Sequence, residues 1–205
     1  MLIKTLPVGQ LETNCYVVTD EASLDCAVID PGDESNLILD YLEENRLHCQ
    51  AIFLTHGHYD HVIGAAELCD RYHPVVCAAE EEMELLQSGI CNRSSVHNIR
   101  INAFTVDRLL HDGDVIELGE SRITFILTPG HTAGSGCYIV GDSIFSGDTI
   151  FCESIGRTDF ETSSPRDMVK SVARIKALEG DYAIYPGHGM FSTLDHERKY
   201  NPFMQ

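Results

Sequence analysis

The feature that most constrains this chain is the segment Thr55-His56-Gly57-His58-Tyr59-Asp60-His61, which directly follows the apolar run Ala51-Ile52-Phe53-Leu54. Such a run predicts a buried strand, so the segment places three imidazoles and a carboxylate where that strand ends. Side chains of this kind do not form hydrophobic core, but together they suit zinc, iron or manganese. The segment therefore predicts a metal site.

The spacing within this segment supports that interpretation. His56 and His58, two positions apart, project to the same side of an extended chain and can share one ion. Asp60 and His61 are adjacent, so the chain must turn before both can reach a metal, and the turn moves them towards a second ion. The alternative is a histidine-rich loop or tag-like tract without metal, but such tracts do not follow a buried strand or contain an interleaved Asp.

The pattern His-x-His-x-Asp-His resembles the signature of the metallo-β-lactamase-fold hydrolases. That family uses further ligands downstream, and Gly130-His131-Thr132, Gly147-Asp148-Thr149 and Pro186-Gly187-His188-Gly189 stand in the family's order, each after an apolar run. The resemblance implies that one ion is held by His56, His58 and His131, that a second is held by Asp60, His61 and His188, and that Asp148 bridges them.

This ligand set implies two divalent metal ions, with zinc expected and iron or manganese as alternatives. Two cations close together lower the pKa of a bridging water, so hydroxide is available at neutral pH without a serine or cysteine nucleophile. One ion would polarise a carbonyl and the other would stabilise the leaving group. We expect Asp148 to be essential as the bridging ligand and Asp60 to accept a proton during turnover in addition to its ligand role.

Two later segments, Gly156-Arg157-Thr158-Asp159-Phe160 and Asn201-Pro202-Phe203, resemble the short glyoxalase II-like branch of this superfamily. That resemblance implies hydrolysis of a small-molecule 2-hydroxyacyl thioester such as S-lactoylglutathione. The alternatives are a persulfide dioxygenase with a single iron, a lactonase, or a non-catalytic metal-binding scaffold, which would have lost ligands. A true β-lactamase is disfavoured, because those with two zincs commonly carry cysteine where this chain has Asp148, and no secretory signal is visible at the N-terminus.

Two further residues have alternative roles. Arg157, nine residues after Asp148, either binds a substrate carboxylate or forms a structural ion pair with Asp159 or Glu153. Asp30 ends a predicted strand, and it either accepts a hydrogen bond from a ligand histidine or only forms a turn. Both pairs of alternatives remain open from the sequence.

The secondary-structure pattern predicts strands alternating with one-sided helices, which by itself indicates α/β or α+β. The family resemblance implies the α+β class in an αββα four-layer sandwich, with two mixed β-sheets flanked by helices. We expect one domain spanning residues 1–205. Asp33 or Ser35 should cap the first helix, and Ser163-Ser164-Pro165 should start a later one. The segment Gln87 to Asn98 is predicted to be a plain connector, with a substrate rim as the alternative.

The formal charge is −18 and the isoelectric point is near 4.7, a balance that disfavours nucleic acid and anionic membranes as partners. The eight cysteines include no Cys-x-x-Cys pair, so we expect reduced thiols in a cytoplasmic protein.

Selectivity for the glutathione part of a thioester is predicted to be weak. Full-length glyoxalase II has an additional C-terminal helical region that holds glutathione, whereas this chain ends soon after Asn201-Pro202-Phe203. An acidic protein also attracts anionic glutathione poorly, unless cations gather at the mouth of the site. The candidate cations are Arg93, Arg157, Arg198 and Lys199. The alternative is that a dimer partner or the C-terminal tail itself rebuilds the glutathione pocket.

Overall fold

The computed structural model describes residues 1–205, which form four layers in the order helix, sheet, sheet, helix. The strands are β1 Leu2–Val8, β2 Thr13–Thr19, β3 Asp25–Ile29, β4 His48–Phe53, β5 Val75–Ala79, β6 Arg108–Leu110, β7 Val115–Leu118, β8 Ser121–Leu127, β9 Gly136–Val140, β10 Ser143–Gly147, β11 Ile150–Phe151, β12 Ser154–Ile155, β13 Ala183–Pro186 and β14 Ser192–Thr193. The helices are α1 Ser35–Glu44, α2 Tyr59–Val62, α3 Ala65–Tyr72, α4 Met83–Gln87, α5 Pro165–Lys176 and α6 Leu194–Tyr200, with 3₁₀ turns at Glu80–Glu82 and Pro202–Met204.

Both six-stranded sheets are mixed, as the predicted αββα sandwich requires. The first has the order β1-β2-β3-β4-β5-β6; its β1, β2 and β3 are antiparallel, and β3 to β6 are parallel. The second has the order β14-β13-β10-β9-β8-β7 and is antiparallel except for the β10–β13 pair. A separate hairpin is formed by β11 and β12. The fold class expected from the family resemblance is therefore confirmed.

Strand β2 shows why the two sheets stack. Its side chains alternate between the two faces of the first sheet, and every residue of the strand is buried. Cys15 and Val17 pack towards the outer helices, whereas Tyr16 and Val18 pack against the second sheet. A strand that is apolar on both faces has to be covered on both sides, which produces an inner layer of the sandwich.

The outer helices each bury one face. Ile38 and Leu42 of α1 pack on the first sheet, and Met168, Val172 and Ile175 of α5 pack on the second. None of the helices is long and apolar enough to cross a membrane.

Helix α5 starts as predicted, with Pro165 in its first turn and the Ser164 hydroxyl accepting a hydrogen bond from the Asp167 amide at 3.2 Å. The predicted cap of α1 by Asp33 or Ser35 is wrong. Its N-cap is Glu34, which has a left-handed backbone (φ 56°) and makes no side-chain cap. All eight cysteines are free thiols.

Candidate metal centre

The seven side chains singled out from the sequence converge on one place between the ends of the two sheets. His56 and His58 follow β4, His131 follows β8, Asp148 follows β10 and His188 follows β13. Asp60 and His61 lie on α2, a single turn of helix whose N-cap is His58. Asp60 and His61 lie beside His188. The ring centroid of His61 also lies 4.1 Å from that of His56, so the turn does not direct His61 away from both preceding histidines.

We call His56, His58 and His131 the first triad. All three are buried, and one nitrogen from each lies within 4.8 Å of the others. His58 Nδ1 is 2.9 Å from His131 Nε2. His56 Nε2 is buried and has no hydrogen-bond partner, which is unusual for a polar atom in a protein interior. An ion shared by the three imidazoles would satisfy it.

We call Asp60, His61 and His188 the second triad. Asp60 Oδ2 lies 3.4 Å from His61 Nε2 and 3.3 Å from His188 Nε2, and the two nitrogens are 3.3 Å apart. Two ligands that are each about 2.1 Å from one tetrahedral zinc stand about 3.4 Å apart. The spacing of the second triad therefore fits a single ion without rearrangement.

Asp148 lies between the two triads. Its Oδ2 is 3.4 Å from His131 Nε2, and its Oδ1 is 3.5 Å from His61 Nε2 and 3.8 Å from His188 Nε2. The Oδ1 atom is buried and lacks a hydrogen-bond partner. Two oxygens facing two ligand groups are the arrangement that a bridging carboxylate needs, so the donor set fits a pair of divalent ions.

Hydrogen bonds on the far side of three imidazoles fix which nitrogen faces the centre. His61 Nδ1 is 2.8 Å from Asp30 Oδ2, His131 Nδ1 is 2.8 Å from the Arg157 carbonyl and His188 Nδ1 is 3.1 Å from the Leu11 carbonyl. Because carbonyl and carboxylate oxygens only accept, each Nδ1 carries the proton and each Nε2 is free to bind a metal.

The structure places Asp30 in contact with the site. Besides facing His61, its carboxylate accepts hydrogen bonds from the Thr55 amide at 2.7 Å and the Thr55 hydroxyl at 2.6 Å. Its backbone is also left-handed, with φ 50°, so it turns the chain as well. The two alternatives considered for this residue therefore coexist in one geometry.

Arg157 forms the ion pair with Asp159 that the sequence offered as one alternative. Its Nε and Nη2 donate to the two oxygens of Asp159, both at 2.7 Å, on the protein surface. Asp159 raises the pKa of the Arg157 guanidinium further, and Arg157 lowers the pKa of the Asp159 carboxyl. The side chain also packs on Phe160, and Arg157 lines the cavity in front of the metal centre.

Glu82 is a functional candidate that was not predicted from the sequence. This buried carboxylate accepts hydrogen bonds from the Gly57 amide at 2.8 Å, the Thr132 hydroxyl at 2.9 Å and the Gly134 amide at 2.8 Å. It thus joins the loop of His56 and His58 to the loop of His131. Burial raises its pKa to about 7, although the three hydrogen bonds oppose that shift. Within the run Glu80-Glu81-Glu82, no local pattern distinguishes it from a solvated acid.

Strand β2 supplies a second connection that was not predicted. Asn14 Nδ2 donates to the carbonyls of Pro186 at 3.0 Å and Gly189 at 3.1 Å, and the Tyr16 hydroxyl donates to the Pro186 carbonyl at 2.5 Å. The Thr13 hydroxyl donates to Asp60 Oδ2 at 3.0 Å. The bonds from Asn14 and Tyr16 fix the His188 loop of the second sheet against the first sheet, and the bond from Thr13 positions Asp60.

Glycine is required at position 187 for the same close packing. A Cβ atom there would collide with Asp148 Oδ1 and approach His61 Cε1 at 2.8 Å. Because Gly187 has no side chain, the backbone can pass close to Asp148 and His61.

The two triads differ in their electrostatics. Burial lowers the pKa of His56 well below its usual value and that of His58 to about 2, with neighbouring imidazoles adding to the effect. Burial acts in the same direction on His61, but Asp60, Asp30 and Asp148 outweigh it and raise the His61 pKa to about 10. The carboxylates thus make the second triad the more negative environment.

A cavity of about 600 Å³ opens onto the centre. It is lined by ligands from both triads and by side chains that include Tyr59, Arg93, His97, Phe151 and Phe160. Arg93 and His97 belong to the segment Gln87 to Asn98, so the interpretation of that segment as a plain connector is wrong. It forms part of the rim of this cavity.

Comparisons with known proteins agree with this geometry. A family model described as "Metallo-beta-lactamase superfamily" matches residues 8–188. The chain is 30% identical to the hydroxyacylglutathione hydrolase GloC of Haemophilus influenzae, covering 100% of this chain and 98% of that protein. It is 37% identical to the probable polyketide biosynthesis zinc-dependent hydrolase BaeB of Bacillus velezensis, covering 85% of this chain and 72% of that protein.

Solved structures show the same similarity. The BLEG-1 B3 metallo-beta-lactamase superposes with a TM-score of 0.93 at 30% identity, over 100% of both chains. TTHA1623 in a di-iron-bound form gives a TM-score of 0.88 at 29% identity, over 98% of this chain and 99% of that one. ETHE1 from Myxococcus xanthus gives a TM-score of 0.83 at 25% identity, over 98% of this chain and 84% of that one.

Proposed function

The chain belongs to the metallo-beta-lactamase superfamily and is a metal-dependent hydrolase, and we propose that it cleaves 2-hydroxyacyl thioesters of the S-lactoylglutathione type. The observation that carries this proposal is the position of Asp148 between two complete triads. With both triads intact, the chain can hold two divalent ions, of which zinc is our first candidate and iron the second. The similarity to GloC over nearly the whole length of both chains supports a thioester as the substrate class.

The metal pair would supply hydroxide at neutral pH and polarise the thioester carbonyl. The protein's own contribution is to hold seven ligands on loops at the ends of rigid strands, so that no ligand has to be reorganised during the reaction. Asp60 faces the cavity and can accept a proton from the attacking water. Addition of hydroxide to the thioester carbonyl would form the new C–O bond, and cleavage of the C–S bond would release the free acid and the thiolate.

The cavity wall includes several apolar and aromatic side chains that a thioester substrate can contact. Contact with these side chains would remove part of the substrate's apolar surface from water. The side chains are Leu11, Tyr59, Phe151, Ile155 and Phe160.

The test is elemental analysis of protein purified without added metal, run beside assays of S-lactoylglutathione hydrolysis, oxygen uptake with a glutathione persulfide, and hydrolysis of a lactone and of a β-lactam. We expect about two ions per chain and thioester hydrolysis as the fastest of the four reactions. One iron per chain with oxygen uptake would instead identify the dioxygenase alternative. Faster cleavage of the lactone or the β-lactam would also overturn the proposal, and the similarity to BLEG-1 makes the β-lactam a necessary comparison.

A cytoplasmic location and the lack of nucleic-acid or membrane partners stay predictions from the sequence.

A further inference from the structure

Two of the four cations considered from the sequence lie at the cavity. Arg93 and Arg157 line it, and their guanidinium carbons lie 4.6 Å and 4.3 Å from the ring centroid of Phe160. Arg198 instead donates to the carbonyls of Lys176, Leu178 and Gly180, and Lys199 lies over the ring of Tyr200. The cavity of this acidic protein therefore has two cations at its rim.

The two rim arginines differ in how far their charge is already paired. Arg157 is engaged by both oxygens of Asp159 at 2.7 Å. Within 4.0 Å, the only carboxylate beside the Arg93 guanidinium is that of Glu161, whose Oε2 is 3.9 Å from Nη1, beyond hydrogen-bond distance. The Arg93 side chain is only 24% exposed, so its guanidinium is partly desolvated at the cavity without a hydrogen-bonded acid.

The backbone holds Arg93 in a defined position relative to the metal centre. The Asn92 carbonyl accepts a hydrogen bond from the Tyr59 amide at 2.9 Å, and Tyr59 directly follows His58. The backbone of Arg93 has a left-handed conformation, with φ 70°, and its amide donates to the Ile90 carbonyl at 3.1 Å. Its ring partner Phe160 packs edge-on to His58 and His131, with ring centroids 5.1 Å and 5.7 Å away.

We propose that Arg93 is the specificity-determining residue of this cavity and binds a free carboxylate carried by the thiol part of the substrate. This inference rests on the proposed thioesterase function. The acyl carboxyl of a 2-hydroxyacyl thioester is consumed in the thioester bond, so a remaining carboxylate has to belong to the thiol. A guanidinium with unpaired donors is the group that recognises such a carboxylate in a bidentate manner.

The two arginines at the cavity bear on selectivity for the glutathione part of a thioester. The acidic composition predicts weak selectivity for glutathione unless cations gather at the mouth of the site. Since Arg93 and Arg157 do gather at the cavity, we expect the enzyme to discriminate between thioesters of charged and of neutral thiols. Asp60 and Asp148, which also line the cavity, repel an anion, and Arg93 offsets that repulsion locally.

The experiment uses a matched substrate pair, S-lactoylglutathione and the S-lactoyl derivative of glutathione diethyl ester, which differ only in their free carboxylates. The metal-loaded protein is compared with Arg93→Gln, Arg93→Lys and a control, Arg122→Gln, which removes an exposed cation on β8. Arg93→Gln should lower kcat/KM for the anionic thioester about tenfold or more, mainly by raising KM. For the diester, kcat/KM should stay within about twofold of the parent value. Arg93→Lys should recover part of the loss, and the control should match the parent protein.

An equal loss on both substrates, or no loss on the anionic one, would overturn the role of Arg93. Binding of S-methylglutathione and of its diethyl ester, measured by calorimetry, tests the same contact without turnover. Arg93→Gln should weaken the binding of S-methylglutathione but not that of its diethyl ester. Equal affinity of the parent protein for the two ligands would also refute the proposal. Failure of the parent protein to hydrolyse either thioester would instead refute the thioesterase function, while the calorimetry still decides the anion site.

Discussion

The first and second triads contain equal numbers of side chains but are held in place by different parts of the molecule. The first consists of three buried imidazoles, and Glu82 joins the two loops that carry them. The second includes a carboxylate, and its side chains are more open, with Asp60 14% and His188 27% exposed. Its supports are Asp30 behind His61 and the residues of β2 behind the His188 loop.

This difference shows how one active centre can be assembled from two sheets. Each triad takes ligands from loops of both sheets, so each requires its own connection across the interface. Glu82 provides that connection for the first triad, and Asn14 with Tyr16 provides it for the second. Asp148 is the side chain that faces both triads, so substitutions at the supports should affect the triads separately, and a substitution at Asp148 should affect them together.

The largest effect is expected for Asp148→Ala, which removes the carboxylate between the triads. Metal content should fall towards one ion or none, and kcat should fall by at least about a thousandfold, equivalent to about 4 kcal/mol of transition-state stabilisation. Elemental analysis measures the metal content, and a thioester hydrolysis assay measures kcat. The control is Asp142→Ala, an exposed acid at the other end of β10. Two fully occupied metals in the Asp148 variant would mean that the triads do not depend on a shared ligand.

The next effect is expected for Asp30→Asn, which is directed at the second triad. An amide nitrogen facing His61 Nδ1 would move the imidazole proton to Nε2, the atom that faces Asp60 and His188. One of the two bound ions should then bind about 10- to 100-fold more weakly in chelator competition. Asp40→Asn on the exposed face of α1 is the matched control. Unchanged affinity of both ions would show that Asp30 is only a turn-forming residue.

A smaller effect is expected for Glu82→Gln, which is directed at the first triad. The side-chain amide cannot accept all three hydrogen bonds, so one donor from Gly57, Thr132 or Gly134 loses its partner. The free energy of unfolding should fall by about 1–3 kcal/mol, and one ion should bind roughly tenfold more weakly. Denaturant titration and chelator competition measure the two effects, with Glu81→Gln as the exposed control. If Glu82→Gln and Asp30→Asn weakened the same ion, the separation of the triads would be wrong.

The smallest effect is expected for Arg157→Ala, at the rim outside both triads. Because its ion pair with Asp159 is on the surface, the melting temperature should fall by only about 1–3 °C. Its backbone carbonyl, which accepts from His131, is retained in the variant. We expect kcat to stay within about threefold of the parent value, measured with S-lactoylglutathione. A larger fall in kcat/KM without loss of stability would assign substrate binding to this side chain as well.

The sequence by itself determined the ligand types of the site and the pattern of strands and one-sided helices, whereas the four-layer arrangement was an expectation from the family resemblance. The ligand types and their positions at strand ends are local properties, readable from His56 to His61 and from the short glycine-flanked motifs downstream. The alternation along β2 and the helical spacing of Met168, Val172 and Ile175 are also local, and they indicate which faces are buried.

Only the tertiary structure decided which other residues hold the metal-binding loops in place and which cation lies at the cavity. Glu82 lies 25 residues from Gly57 and 50 from Thr132, and Asn14 lies 172 residues from Pro186, so no periodicity or motif links them. Arg93 was one of several cations in the sequence, and its place at the cavity depends on the packing of its loop against Tyr59 and Phe160. A buried polar group must find its hydrogen-bond partner, but the partner is chosen by the way the sheets stack, and that stacking is a property of the whole chain.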